Sequence, residues 1–344
     1  MRPPCRAVLR RTRLAHAVLH WDGAGATGNL MDQARRARLA LIGDWARGRG
    51  LAQVALGHTA DDQAETFVMR LAREAGLEGL SGMRARFQAE GVLWLRPLLG
   101  LRRAALRDYL RGQGLGWVSD PSNEDPRFER VRARKALAQL APLGVGAEAL
   151  GAVIGHLAAA DRVLAAQLAQ FAASHLREEG GDLVIAAGAF AALDPELRRR
   201  LLRAALIWVS GEDYGPRAAK LARVLAAPET ATLHGCKMTC AKGAIRLTRE
   251  ARAVAGLRVP VAQIWDRWRL LGPAEPGHEI AALGAEGLRQ CPDWRAAGLP
   301  RASLLASPAV WRGDLLISAP LAGRENAWKA EIACGSFHSS LFRR

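Results

Sequence analysis

Up to about residue 135 the chain alternates between short apolar runs and amphipathic stretches. Leu14–Trp21 reads as a short buried strand, leading through a glycine-rich loop into a helix from about Asn29 to Arg47. The run Ala52–Gly57 predicts a second strand, followed by a helix from about Asp61 to Glu74. Val92–Leu95 predicts another short strand, and Arg102–Gln113 a helix stopped by Gly112, Gly114 and Gly116. Strands and helices alternating at this spacing imply an α/β domain built on a parallel sheet. From 136 to 228 the pattern turns helical through Glu148–Leu176, Pro195–Val209 and Pro216–Leu225, interrupted at Asp182–Ile185. Beyond it Ala231–Cys240, Ile245–Thr248, Trp265–Leu271 and Leu315–Ser318 are strand-like and separated by Gly and Pro. Three domains are expected: 1–135, a mainly helical 136–228 and a small β-rich 229–344.

Composition narrows the function classes. Half the residues are hydrophobic and a quarter charged, enough for a packed core and unlike a disordered chain. No run approaches eighteen uninterrupted apolar residues, so no membrane span is expected. Five scattered cysteines (Cys5, Cys236, Cys240, Cys291, Cys334) argue against a disulfide scaffold. The first 21 residues hold five arginines and no acid, but Leu14–Leu19 suits a strand better than a signal peptide, so a cytoplasmic protein is expected. Lys+Arg 49 against Asp+Glu 33 leaves +16, and only five of the cations are lysines. Arginine suits phosphate forks, yet an arginine-rich composition also follows from a GC-rich genome, so charge alone leaves a polyanionic partner at even odds. The excess is densest in residues 1–140, with 24 cations against 14 acids.

The sharpest motif is Gly57-His58-Thr59-Ala60-Asp61-Asp62-Gln63-Ala64-Glu65-Thr66, just after a strand at the carboxyl edge of the expected sheet. Asp62 and Glu65, three apart on a helix, share one face in its first turn. Two readings stay open: paired carboxylates that hold Mg²⁺ or orient a nucleophile, or acids that cap a helix. Arg35 and Arg38 share a face of the preceding helix, as either a solvated or an anion-binding pair. Arg127, Arg130, Arg132, Arg134 and Lys135 form a dense basic run, suited to phosphate contacts or to a solvated helix start. Gly23–Gly28 matches G-x-G-x-x-G, but its loop is too long and no acid ends the next strand; a flexible loop with Thr27 capping the helix is favoured. In His234–Cys240 the alternation of Cys236, Met238 and Cys240 fits a strand face better than zinc spacing. Trp265, Trp268, Trp294 and Trp311 are expected in the small β core.

These segments together resemble the tRNA(Ile)-lysidine synthase family of the N-type ATP-pyrophosphatase (PP-loop) superfamily. The likeness runs through Thr27-Gly28-Asn29 and Ala34–Arg38, the GHTADDQAET string, Arg70-Leu71, Gly76-Leu77, Gly79-Leu80, Arg96-Pro97-Leu98-Leu99, Asp120-Pro121-Ser122-Asn123 and the basic run beginning at Phe128. It continues in HGCKMTC, WDRWRLLGP and PAVWRGDLLISAP. The resemblance implies a Rossmann-like, adenine nucleotide alpha hydrolase-like first domain. It also implies ATP and Mg²⁺ as cosubstrates, and L-lysine and CAU-anticodon tRNA(Ile) as substrates. A second copy of the chain is a candidate partner and a membrane is not. By motif match, Arg38, Asp62, Glu65 and Arg130 surround the reacting centre, His58, Asp61 and Asp62 serve ATP and its magnesium, and Arg127, Arg132, Arg134 and Lys135 serve tRNA. The family's Ser-Gly-Gly-x-Asp-Ser loop has no counterpart in this sequence, which is expected to begin near the family's third strand, leaving an N-terminally truncated first domain. Val131 stands where an Asn is common. A non-catalytic tRNA-binding remnant is therefore the alternative.

Overall fold

The computed structural model describes residues 15–23, 30–117, 124–227 and 230–342. Most of the glycine-rich loop, the Asp120–Asn123 segment and Cys5 lie outside the described residues. The chain divides into two compact units, Met1–Val163 and Leu164–Arg344.

The first unit runs α1 (Leu30–Arg47), β1 (Gln53–Ala55), α2 (Ala60–Leu71), α3 (Leu77–Leu80), β2 (Arg86–Ala89), β3 (Val92–Leu95), α4 (Arg103–Gly112), α5 (Glu129–Leu140) and the start of α6 (Ala147–His175). Its sheet has the order β1-β3-β2. β1 and β3 are parallel, with Val54 opposite Trp94, and β2 returns antiparallel to β3. Glu90 and Gly91, both at positive φ, close that hairpin, as a two-residue turn of this hand requires. The hairpin escapes sequence reading because Arg86–Ala89 is only half-buried and lacks an apolar run. Trp94 and Val92 are buried with Ala46 against Ile42, Val54 and Phe87, and the Trp94 indole donates to the Ala89 carbonyl at 3.0 Å. A second core joins α2, α5 and α6 through Ala64, Phe67, Leu137, Leu150 and Ile154.

One expected strand is absent. Residues 15–23 have no regular structure, and nearly all are exposed. An apolar run becomes a strand only when a ladder partner satisfies its backbone, and the described sheet pairs β1 with β3 alone.

The second unit opens with the hairpin β4 (Leu176–Glu179) and β5 (Asp182–Ala186), followed by α7 (Ala187–Ala192), α8 (Pro195–Ser210) and α9 (Ala218–Ala226). β6 (Ala231–Leu233), β7 (Cys236–Ala241) and β8 (Ala244–Arg249) complete an antiparallel sheet in the order β4-β5-β8-β7-β6. This sheet joins strands from both sides of the limit expected near residue 228. Its core includes Leu183, Ile185, Leu201, Leu206, Trp208 and Leu247. Gly181 (φ +86°) turns the first hairpin where a Cβ would stand 2.3 Å from the Trp268 ring, so no other residue fits. Then come α10 (Ala251–Val254), β9 (Arg258–Pro260), β10 (Trp268–Leu271), β11 (Glu279–Ala282), α11 (Gly284–Arg289), α12 (Arg301–Leu305), β12 (Pro308–Arg312), β13 (Leu315–Ser318), β14 (Lys329–Ile332) and α13 (Phe337–Phe342). They form a sheet β13-β12-β11-β9 and a ribbon β10-β14. Trp265, Trp268 and Trp311 are buried here and Trp294 packs at the margin.

Cys236 and Met238 face the core while Cys240, near the strand end, is exposed. Burial pushes the Cys236 thiol up to about 12, which keeps it protonated and unreactive. By length and composition α6 is apolar enough to cross a membrane, which the run-length criterion passed over because charged residues break the run. One such helix is weak evidence for a membrane, and only 11% of its apolar window is buried; of the residues of α6 that are buried, Leu150 and Ile154 join a core of the first unit and Leu168 and Ala172 one of the second.

Candidate active site

Because β1 and β3 are parallel, their carboxyl ends open on the same edge of the sheet, where ligands bind in open α/β folds. His58 follows β1 and Arg96 follows β3, and the Arg96 Nε donates to His58 Nδ1 at 3.2 Å. An arginine cannot accept, so Nδ1 is the unprotonated nitrogen and the neutral ring carries its proton on Nε2. Burial, the Arg96 charge and more distant Arg130 and Arg38 hold His58 below its ordinary value, against a smaller opposing pull from Asp62. Arg96 is itself buried, donates to the Arg84 carbonyl at 2.8 Å and lies over Phe87. Burial, with Arg35 and Arg70 nearby, brings it down to about 10.

Thr59 starts α2. Its backbone is extended, and its amide and hydroxyl donate to Asp62 Oδ2 at 2.9 and 2.7 Å while its hydroxyl accepts from the Asp62 amide at 3.4 Å. This is a capping box with aspartate in the third position. Burial disfavours the Asp62 charge, but the Thr59 bonds and the charges of Arg103 and Arg130 outweigh it and leave Asp62 below its ordinary value. Asp61 points elsewhere: its Oδ2 accepts from the Arg103 amide at 2.6 Å and so caps α4.

Glu65, one turn on, is 1% exposed. Arg134 Nε donates to its Oε1 at 2.8 Å, and both terminal nitrogens of Arg103 approach the same oxygen at 3.4 Å. Arg130 Nε stands 3.5 Å from Oε2, a pairing by charge alone, since Oε2 is buried without a hydrogen bond. Three guanidiniums from α4 and α5 thus converge on one carboxylate. Each is partly exposed, Arg130 the most at 46%.

The expected residues are thus only partly brought together. His58, Asp62, Glu65 and Arg130 share one locus, and exposed Arg38 bears on it through its effect on His58. Arg134, expected on RNA, instead holds Glu65. Arg127 is tied to Asp125, and Arg132 donates to the Pro126 and Arg127 carbonyls; both stay exposed, as does Lys135. Arg96 and Arg103 were not foreseen. For Arg96 a signal existed, since it follows β3 as His58 follows β1. A magnesium ion does not fit the Asp62–Glu65 pair as placed: three guanidiniums already neutralise Glu65, Thr59 engages Asp62, and no group of three metal ligands exists among the described residues.

The PP-loop domain family matches residues 2–141. A curated tRNA(Ile)-lysidine synthase from Ruegeria pomeroyi is 46% identical over 334 residues, spanning 95% of this chain and 80% of that protein. The chain belongs to the tRNA(Ile)-lysidine synthase family. Similar proteins of that name from Novosphingobium aromaticivorans (40% identical, 69% of this chain, 72% of that one) and Mesorhizobium japonicum (34%, 86% and 68%) agree. Membership in the tRNA(Ile)-lysidine synthase family makes the first unit's α/β sheet a Rossmann-like PP-loop fold.

Proposed function

We propose that the chain ligates L-lysine to C2 of the wobble cytidine of CAU-anticodon tRNA(Ile) at the expense of ATP, changing the codon read from AUG to AUA. The C2 carbonyl oxygen attacks the α-phosphorus of ATP, and the bond to the β-phosphate breaks to release pyrophosphate. The ε-nitrogen of lysine then attacks C2 with its lone pair, the C2–O bond breaks, AMP departs with that oxygen, and the new C–N nitrogen sheds a proton.

The observation that carries this reading is the arginine cage of Glu65 at the carboxyl edge of β1 and β3. Both steps gather anionic charge on phosphorus oxygens, and partly exposed guanidiniums aimed at the site stabilise it. Arg130, with Arg38 across the edge, would face the adenylate. Glu65 acts by holding Arg103, Arg130 and Arg134 in place, a positioning role. Asp62, kept ionised, accepts a hydrogen bond from the lysine ε-nitrogen, which attacks once its ammonium has given a proton to water, and neutral His58 offers its Nε2 proton to a phosphate oxygen. Magnesium enters with ATP, as part of the substrate. The reaction belongs in the cytoplasm, where tRNA is modified.

The test incubates the purified chain with ATP, labelled L-lysine and CAU-anticodon tRNA(Ile) transcript. Incorporation of lysine with equal release of AMP and pyrophosphate is expected. Salt-sensitive tRNA binding without incorporation would overturn the ligase reading in favour of a tRNA-binding remnant.

A further inference from the structure

Helix α4 buries none of its side chains, yet one face carries arginine at every turn: Arg103, Arg107 and Arg111. Residues four apart stack along a helix face, about 6 Å of rise between them. The stripe begins in the active site, where Arg103 reaches Glu65 and Asp62. It ends at Trp117, whose ring centroid lies 5.4 and 5.2 Å from the Arg107 and Arg111 guanidinium carbons. That indole is 40% exposed and the neighbouring Tyr109 66%. Arg111 pairs with exposed Asp108, and Arg107 makes no ion pair among the described residues.

Cation–π contact holds guanidinium and indole in a fixed arrangement while leaving the cations in water. A row of cations ending on an exposed aromatic matches a strand with regular anionic charge and free π faces. Duplex RNA keeps its base faces stacked inside, whereas an unpaired strand can offer them. We propose that the Arg103–Arg107–Arg111–Trp117 stripe is the track for unpaired ribonucleotides flanking the reacting base. The proposal rests on the tRNA-modifying reading and adds which surface holds the strand. It adds a surface on α4 to the 127–135 run, of which Arg134 is engaged with Glu65 while Arg127, Arg132 and Lys135 stay exposed.

The test measures fluorescence anisotropy of a labelled RNA hairpin with CAU in its loop and of a blunt duplex of the same stem. Trp117→Ala should weaken hairpin binding about tenfold, as loss of one stacked base predicts, and leave duplex binding unchanged. Trp117→Phe should restore most of the loss. Arg107→Ala with Arg111→Ala should flatten the slope of log affinity against log salt by about 1.4, two single-strand phosphate contacts. These side chains are exposed, and unchanged melting temperatures will show that the variants fold. Equal loss for hairpin and duplex in Trp117→Ala, or no loss, overturns the track. Lysine transfer by the parent chain with undiminished hairpin affinity in both variants overturns the track and leaves the ligase reading. Hairpin binding through Trp117 without lysine transfer does the reverse.

Discussion

Two buried carboxylates, one in each unit, are satisfied in different ways. In the second unit Asp182 Oδ2 accepts from Ser303 at 2.5 Å, Arg246 at 2.9 Å and Thr248 at 3.2 Å. Its donors are short side chains or a guanidinium already tied to Glu179, so the node is closed. Burial nonetheless pushes Asp182 above its ordinary value, the Ser303 and Arg246 bonds recovering only part of the cost. Glu65 in the first unit is as deeply buried, but its partners are long, partly exposed arginines and one oxygen has no hydrogen bond. A closed node serves the fold. An open one holds cations that a substrate anion can share, and that difference separates scaffold from site.

The comparison breaks first at Glu65. Glu65→Ala should lower lysine transfer by on the order of 10³, the scale seen when transition-state charge loses a preorganised partner. Steady-state assays with tRNA binding measured in parallel would show it; full activity would sink the role. Asp182→Ala should instead cost stability, about 3 kcal/mol for a buried pair broken on one side, with turnover per folded molecule unchanged. Denaturant titration reads the first and active-site-normalised rates the second. Arg103→Ala should sit between, lowering transfer about tenfold, because Arg134 and Arg130 still hold Glu65. Smallest is the pH effect of His58. Its folded value lies below 6.5, so as pH falls through 6.5 the unfolded chain takes up a proton the folded chain resists, and stability is lost. His58→Gln should flatten that slope in melts between about pH 5 and 7. A separate loss, from Glu196 at about 2 beside Arg199 and Arg200, should begin only below 4.5 and persist in the variant.

Periodicity made α1, β1, α2, β3 and α4 legible, because apolar spacing reports which face is buried. It failed at Leu14–Trp21, where burial depends on a partner strand that spacing does not encode. His58, Asp62 and Glu65 of the motif stand at one locus of the structure. The motif could not reveal the cage, since Arg103 and Arg134 lie 38 and 69 positions from Glu65 and are brought there only by the folding of α4 and α5. Arg134 read as an RNA contact because a cation in sequence looks the same whether it meets phosphate or carboxylate. Asp61, expected at ATP and its magnesium, accepts from the Arg103 amide at the start of a helix, a partner that spacing could not announce.

The span between Glu65 and its last partner also has a meaning in time. A ribosome adding about 5 to 20 residues per second needs roughly 3 to 14 s to pass from Glu65 to Arg134, 69 positions on. Until Arg103 is made, 38 positions on, the inward-facing glutamate of a nascent α2 has no counter-charge and resists leaving water, and its cage stays incomplete until Arg130 and Arg134 follow. The first unit therefore closes late, when α5 clears the exit tunnel, and codons that slow synthesis between the two positions lengthen the exposure of an unfinished core to chaperones and proteases.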